Sequence, residues 1–337
     1  MEALETEIYL RYKQIIESQG ARGPQPSSCD ARPGSEAGVN SSGGESPAPR
    51  YTHMENLLDR YDAFCFDGYG TLYNRGSFVY EGALDWYTML RAAGKQMRLI
   101  TNAASDVDSV LAADAAKRGF AFSEAETISS GSLLKDLCVE LRSRKFGSGL
   151  GARRDLREVY YIGRETGKHV LESCGIKAVA PAAEPVEPIV AISSAKDTPE
   201  TYEQAVKILK RPGAILLVLN SDAWAPKIPG DDGVTVREPV SGALSERLRR
   251  DSVCEANGMA GCETFYLGKP FPAIWNKVKS TLAPDARVLM VGDTLGTDVL
   301  GARVAGFDSA LVVGRNVPAD ELEADEKALG IRPDWYL

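Results

Sequence analysis

From residue 54 onward the chain alternates short apolar runs with stretches whose apolar positions recur every three or four residues. The first run, Ala63-Phe-Cys-Phe66, lies between Asp62 and Asp67 and reads as a buried strand ending in a carboxylate. Residues 81–94 carry helical spacing, and Met97-Arg-Leu-Ile-Thr101 reads as the next strand. Further strands are predicted at 159–162, 188–192, 214–220, 264–267, 287–292 and 309–313, with helical stretches between most of them. Strand and helix in alternation form the βαβ rhythm of a parallel sheet, so the fold class is α/β.

The pattern before residue 54 is different. Leu4, Ile8, Tyr12 and Ile15 are spaced four, four and three apart, which is one face of a helix that could dock on the body or on a partner. Between Gly20 and Arg50, 17 of 31 residues are Gly, Ser or Pro and no apolar run occurs, so residues 1–53 are predicted to be a helix followed by a disordered linker. A second break, Gly147-Ser-Gly-Leu-Gly151, reads as a loop. It does not open a helix after a strand, as a dinucleotide-binding turn would.

Composition narrows the chemistry. At 337 residues, 44% hydrophobic and 26% charged, the chain has a globular composition and room for roughly two domains. A net charge of −8 with no Lys/Arg run longer than two argues against a nucleic-acid or membrane-surface partner. No run approaches the ~18 apolar residues of a membrane span. Two histidines, His53 and His169, cannot build a three-His zinc site, so carboxylates, lysines or hydroxyls must carry any catalysis. The six cysteines form no C-x-x-C pair, which makes a reduced, cytoplasmic setting the expectation.

Ligands of open parallel sheets bind outside the carboxyl ends of the strands, and four such ends here carry polar groups. They are Asp67-Gly-Tyr-Gly-Thr-Leu72, Thr101-Asn102, Gly268-Lys269-Pro270 and Gly292-Asp293-Thr-Leu-Gly-Thr-Asp298. Each alone could be a turn or a helix cap. Together, in this order, they resemble the four motifs of the haloacid dehalogenase (HAD) superfamily of hydrolases. Only 34 positions separate Asp67 from Thr101, whereas 168 separate Thr101 from Lys269, so an insert of about 130 residues is expected there. That arrangement resembles class IIA, the NagD-like and p-nitrophenyl-phosphatase-like branch. It implies a Rossmann-like core from residues 54–124 plus 263–337, with an α/β cap at 125–262.

The resemblance implies that Asp67 is a nucleophile, assisted by Lys269 and Thr101. Asp67, the Tyr69 carbonyl, Asp293 and Asp298 would hold Mg²⁺. Three carboxylates, one lysine and one Mg²⁺ sum to zero charge, which rationalises the grouping. Tyr69, Asn102, Asn220 and Asp222 would face a small phosphorylated substrate. Asn102 could orient that substrate or cap the following helix, and Trp224 could form a lid or pack in the cap. A homo-oligomer through the cap or the N-terminal helix is left open.

One position departs from the pattern. Phosphatases of this superfamily usually carry a second Asp two residues after the nucleophile, and here that position is Tyr69. Three readings follow: a phosphatase that moves its proton by water or a cap acid such as Asp222, a dehalogenase-like hydrolase whose leaving group needs no proton, or a binding protein with a weakened site. Against the second, dehalogenases place their cap between the first two motifs.

Overall fold

The computed structural model describes residues 3–20, 50–143, 156–230, 235–253 and 262–337. The predicted linker and the Gly147–Gly151 break lie outside them. In chain order the first strands are β1 (Ala63–Phe66), β2 (Gln96–Thr101), β3 (Thr127–Ser129), β4 (Glu158–Ile162), β5 (Lys177–Ala178), β6 (Ile189–Ile192) and β7 (Ile215–Val218). Then come β8 (Trp224–Pro226), β9 (Arg237–Pro239), β10 (Glu263–Tyr266), β11 (Val288–Gly292), β12 (Asp308–Leu311) and β13 (Trp335–Tyr336). The helices are α1 (Ala3–Gly20), α2 (Ala83–Ala92), α3 (Asp108–Ala116), α4 (Leu134–Ser143), α5 (Lys168–Ser173), α6 (Pro199–Leu209), α7 (Ser241–Asp251), α8 (Pro272–Ser280), α9 (Leu300–Ala305) and α10 (Leu322–Leu329).

Two parallel sheets organise these elements. The core sheet runs β13-β12-β11-β1-β2-β3 and the cap sheet β10-β7-β6-β4-β5. All four residues of β1 are buried, as expected of a central parallel strand covered on both faces. The connection from β1 leads to β2 on one side, while β11 on its other side leads away to β12. The sheet therefore has its topological switch point between β1 and β11, where open α/β sheets form their ligand crevice.

The strands predicted from apolar runs all form, with ends shifted by one or two residues. Five short strands were not anticipated, because Thr127-Ile-Ser129, Lys177-Ala178, Trp224–Pro226, Arg237–Pro239 and Trp335-Tyr336 lack an apolar run. Two of the pairings move the expected boundaries. Thr127–Ser129, expected in the cap, pairs with β2 in the core sheet, and Glu263–Tyr266, expected in the core, pairs with β7 in the cap sheet. The chain thus crosses between sheets after residue 129 and again immediately after Tyr266.

Helix α1 docks on its own chain. Ile8, Tyr9 and Tyr12 join one buried cluster with Leu244, Leu248 and Tyr266 of the cap side and Leu295, Leu322 and Leu329 of the core side. Arg11 pairs with Glu246 on α7, and buried Glu5 pairs with Arg237 on β9. Tyr9 lies against the backbone of Gly296, where a Cβ would have no room.

Candidate active site

The residue after β1 is Asp67, and the residue after β11 is Asp293, so the switch point sets two carboxylates side by side. Lys269 reaches the crevice from the loop after β10, between Asp67 and Asp298. Its Nζ donates to Asp67 Oδ1 at 2.5 Å and pairs with Asp298 Oδ1 at 2.7 Å. All four side chains are buried.

Glycines allow the loops to approach this closely. Gly70 has φ +101, and a Cβ on it would strike the Asp293 carboxylate. Gly268 has φ +92 and its Cβ would strike Asn102. Both positions need a left-handed backbone and the absence of a side chain.

Burial drives the electrostatics. Asp67 is pushed up to about 7 by desolvation, with Lys269 opposing and Asp298 adding to the rise. Asp293 is raised well above the ordinary carboxylate range by burial and by the charges of Asp67 and Asp298. Lys269 is pushed upward because the pull of Asp298, Asp67 and Asp222 outweighs its own burial. Three carboxylates against one ammonium leave two negative charges in a buried space, a state that needs a cation or protons to persist.

The two acidic residues of the fourth motif differ in their free valence. Asp298 was expected to hold metal, yet its Oδ2 accepts from the backbone N–H groups of Asp293 and Thr294, both at 3.1 Å, and its Oδ1 faces Lys269. Both oxygens are engaged in positioning. In Asp293, Oδ1 accepts from Thr294 Oγ1 at 2.9 Å, while Oδ2 is buried without a hydrogen-bond partner. An acceptor-only oxygen in that state suits a hard divalent cation. Among the described residues no cluster of three or more His, Cys, Asp or Glu side chains forms a ready metal cage, so the donors that fit are Asp67, Asp293 and a loop carbonyl such as that of Tyr69.

Asn102 differs from its expected role. Its Oδ1 accepts from the Lys269 N–H at 2.7 Å, and its Nδ2 faces Asp222 Oδ1 at 2.7 Å, Lys269 O at 3.0 Å and Ser221 Oγ at 3.2 Å. Both of its donor hydrogens are engaged within the protein, and α3 begins six residues later with no side-chain cap. Asn102 instead ties the lysine loop to the Ser221-Asp222 turn of the cap.

Around these groups opens a cavity of about 390 Å³, within the range of small-molecule sites. Asp67, Tyr69, Thr101, Asn220 and Asp222 line it. The Thr101 Oγ1 accepts from Ala103 N–H and keeps its own proton to donate. Asn220 Oδ1 accepts from Asp222 N–H, which shapes the turn. Asp222 is pushed up to about 6 by burial, against the pull of Lys269 and Asn102. Tyr69 packs edge-on against Tyr73, and its hydroxyl donates to Asp114 Oδ2 at 3.4 Å. Trp224 is buried in the cap-side cluster and His169 is an exposed neighbour of Asp106. Neither is among the residues lining the cavity.

Arg164, Ser193, Ser194, Asp114 and Ser241 also line the cavity and were not anticipated. Three of them follow β4 and β6 directly, so the strand-end argument used on the core would have found them in the cap.

Sequence comparison agrees with this architecture. The model of the haloacid dehalogenase-like hydrolase family matches residues 64–177, and a second, HAD-hydrolase-like model matches residues 266–337. Chronophin of Mus musculus is 25% identical over 274 residues, covering 80% of this chain and 87% of its own. A possible sugar phosphatase of the HAD superfamily from Cytophaga hutchinsonii superposes with a TM-score of 0.68 at 24% identity, over 86% of this chain and 97% of the other. A glycerol phosphate phosphatase of Mycobacterium tuberculosis, solved with magnesium, gives 0.61 at 22% identity, over 83% and 76%. The chain belongs to the haloacid dehalogenase-like hydrolases. A relative named as a phosphatase, and a fold shared with a putative nagD protein, agree with the NagD-like class IIA arrangement.

Proposed function

We propose that the protein is a Mg²⁺-dependent phosphatase that hydrolyses a small phosphorylated metabolite through an aspartyl-phosphate on Asp67. The observation that carries this reading is the Asp67–Lys269 pair at the switch point, beside an Asp293 oxygen that has no partner. The magnesium-bound M. tuberculosis neighbour and the relatives named glycerol-3-phosphate phosphatase support it.

Asp67, Asp293 and the Tyr69 carbonyl would hold the cation. When bound, it supplies the two positive charges that let a phosphate dianion enter an acidic crevice. Lys269 favours the ionised form of Asp67 against its burial and would face the transferring oxygens. An Asp67 oxygen attacks phosphorus, the P–O bond to the leaving group breaks, and the leaving oxygen takes a proton. Water then attacks phosphorus, loses a proton, and Asp67 and inorganic phosphate are released. Thr101 Oγ1 donates a hydrogen bond to the phosphoryl oxygens.

With Tyr69 in the usual place of the acid/base, the proton falls to another carboxylate. Asp222 lines the same cavity and titrates near 6, close to the range in which one group can both donate and accept. Asn102 fixes its orientation. Incubation with Mg²⁺ and a panel of phosphate esters should release phosphate, and Asp67→Asn should abolish release; unchanged turnover in that variant would exclude the mechanism.

A further inference from the structure

The cap sheet has a switch point of its own. In the order β10-β7-β6-β4-β5 the connection from β4 leads to β5, while that from β6 leads the opposite way to β7. The loops that follow β4 and β6 must therefore separate, and they open a crevice at their carboxyl ends. Those loops carry Arg164 and Ser193-Ser194, and all three residues line the same cavity as Asp67. Two sheets thus present their switch points to one cavity, and the core's already holds the reacting groups.

Several polar groups of the second crevice have no partner among the described residues. Of the three arginines lining the cavity, Arg118 is held by Asp114 at 2.6 Å and Arg75 by Glu238 at 2.5 Å. Arg164 has no carboxylate partner among the described residues, and its charge is felt at the Tyr69 hydroxyl across the cavity. The backbone of Arg164 is fixed, because Tyr161 Oη donates to its carbonyl at 3.0 Å and lies 2.5 Å from Ser193 Oγ. Ser194 Oγ is buried without a hydrogen-bond partner, and so is Ser241 Oγ at the start of α7, in a fully buried residue lining the same wall. Buried hydroxyls left unpaired beside an uncompensated guanidinium are costly unless a ligand completes them.

We propose that the crevice between Arg164 and Ser194 is a second anion subsite, holding the end of the substrate remote from its phosphoryl group. The natural substrate is then a phosphate ester that carries another negative group, a carboxylate or a second phosphate. Arg164 supplies a planar fork of donors matched to either group, and the serine hydroxyls supply single donors. This rests on the phosphatase reading for what occupies the core end, and it adds what the cap end selects.

The test measures binding by calorimetry in the Asp67→Asn protein with Mg²⁺, so that no turnover is needed. The probes are 2-phosphoglycolate, propane-1,3-diyl bisphosphate and p-nitrophenyl phosphate, the last lacking a second anion. Arg164→Gln should weaken at least one of the first two about ten- to a hundredfold more than p-nitrophenyl phosphate, as loss of a charge-assisted pair requires. Arg164→Lys should recover part of the difference. The probe that loses most identifies the group as carboxylate or phosphate. Equal weakening of all three probes, or no preference before substitution for the probes with a second anionic group, overturns the proposal. If the unsubstituted protein releases phosphate from no ester, the phosphatase reading falls separately, and the ratio of dissociation constants still decides the subsite.

Discussion

The two walls of the crevice are built on opposite principles. On the core side, Asp67, Lys269, Asp293 and Asp298 are buried and linked by ion pairs and backbone donors, with Asp293 Oδ2 left without a hydrogen bond or ion pair. On the cap side, Arg164 is exposed and unpaired among the described residues, and two serine hydroxyls have no partner. A wall whose bonds are already closed can perform one reaction on any substrate that reaches it. A wall with open donors can only complete itself with a ligand, so the information about substrate identity lies there.

The comparison can be broken most sharply by removing one cation from each wall. Lys269→Met leaves buried carboxylates without a counter-charge and should cost roughly 3–5 kcal/mol of stability at pH 8 in urea unfolding. The cost should shrink at pH 5, because protonated carboxylates need no partner. Arg164→Met should stay within about 0.5 kcal/mol by the same measurement. Equal losses would show that the walls do not differ as described.

Next in size is the proton. Asp222→Asn should lower turnover by roughly 10²–10⁴, and adding Tyr69→Asp in that background should restore a measurable part by returning a carboxylate two residues after the nucleophile. If turnover survives Asp222→Asn, the proton moves by another route. If every variant including the natural sequence is inert while ligand still raises the melting temperature, the weakened-site reading replaces catalysis.

A smaller effect concerns α1, which joins the walls. Glu5 is raised from the ordinary carboxylate value to about 7, chiefly by burial, with Arg237 opposing. The folded state holds its proton more tightly than the unfolded chain, so this contribution is complete below about pH 4.5 and disappears as pH rises through 7. The span corresponds to about 3 kcal/mol at most. Amide exchange in α1 should therefore quicken between pH 5 and 8 relative to a Glu5→Gln protein, after correction for intrinsic rates. Smaller again is Asn102→Ala, at about 2 kcal/mol, read as reduced stability with a shifted pH dependence at Asp222.

The sequence exposed the core wall almost completely. Apolar runs marked β1, β2, β10 and β11, and each is followed within three residues by a polar residue that the structure brings to the crevice. Asp67, Lys269 and Asp293 needed no tertiary knowledge beyond the rule about strand ends. The role of Asn102 was not readable, because its partners Lys269 and Asp222 lie 167 and 120 positions away. Thr127–Ser129 escaped notice because a three-residue edge strand with two hydroxyls has no apolar signature. Arg164 was missed for another reason: one arginine after a cap strand looks like any solvated surface charge until its neighbours prove to have taken the other two.

Tyr266 is the last residue of a cap strand, and Lys269 follows three positions later as the hub of the core wall. So short a tether makes the cap sheet a lever arm on the lysine: tilting β10 by any appreciable amount must drag the ammonium away from Asp67. Tyr12 of α1 grips both ends of that tether, with its ring 5.0 Å from those of Tyr266 and of Phe271.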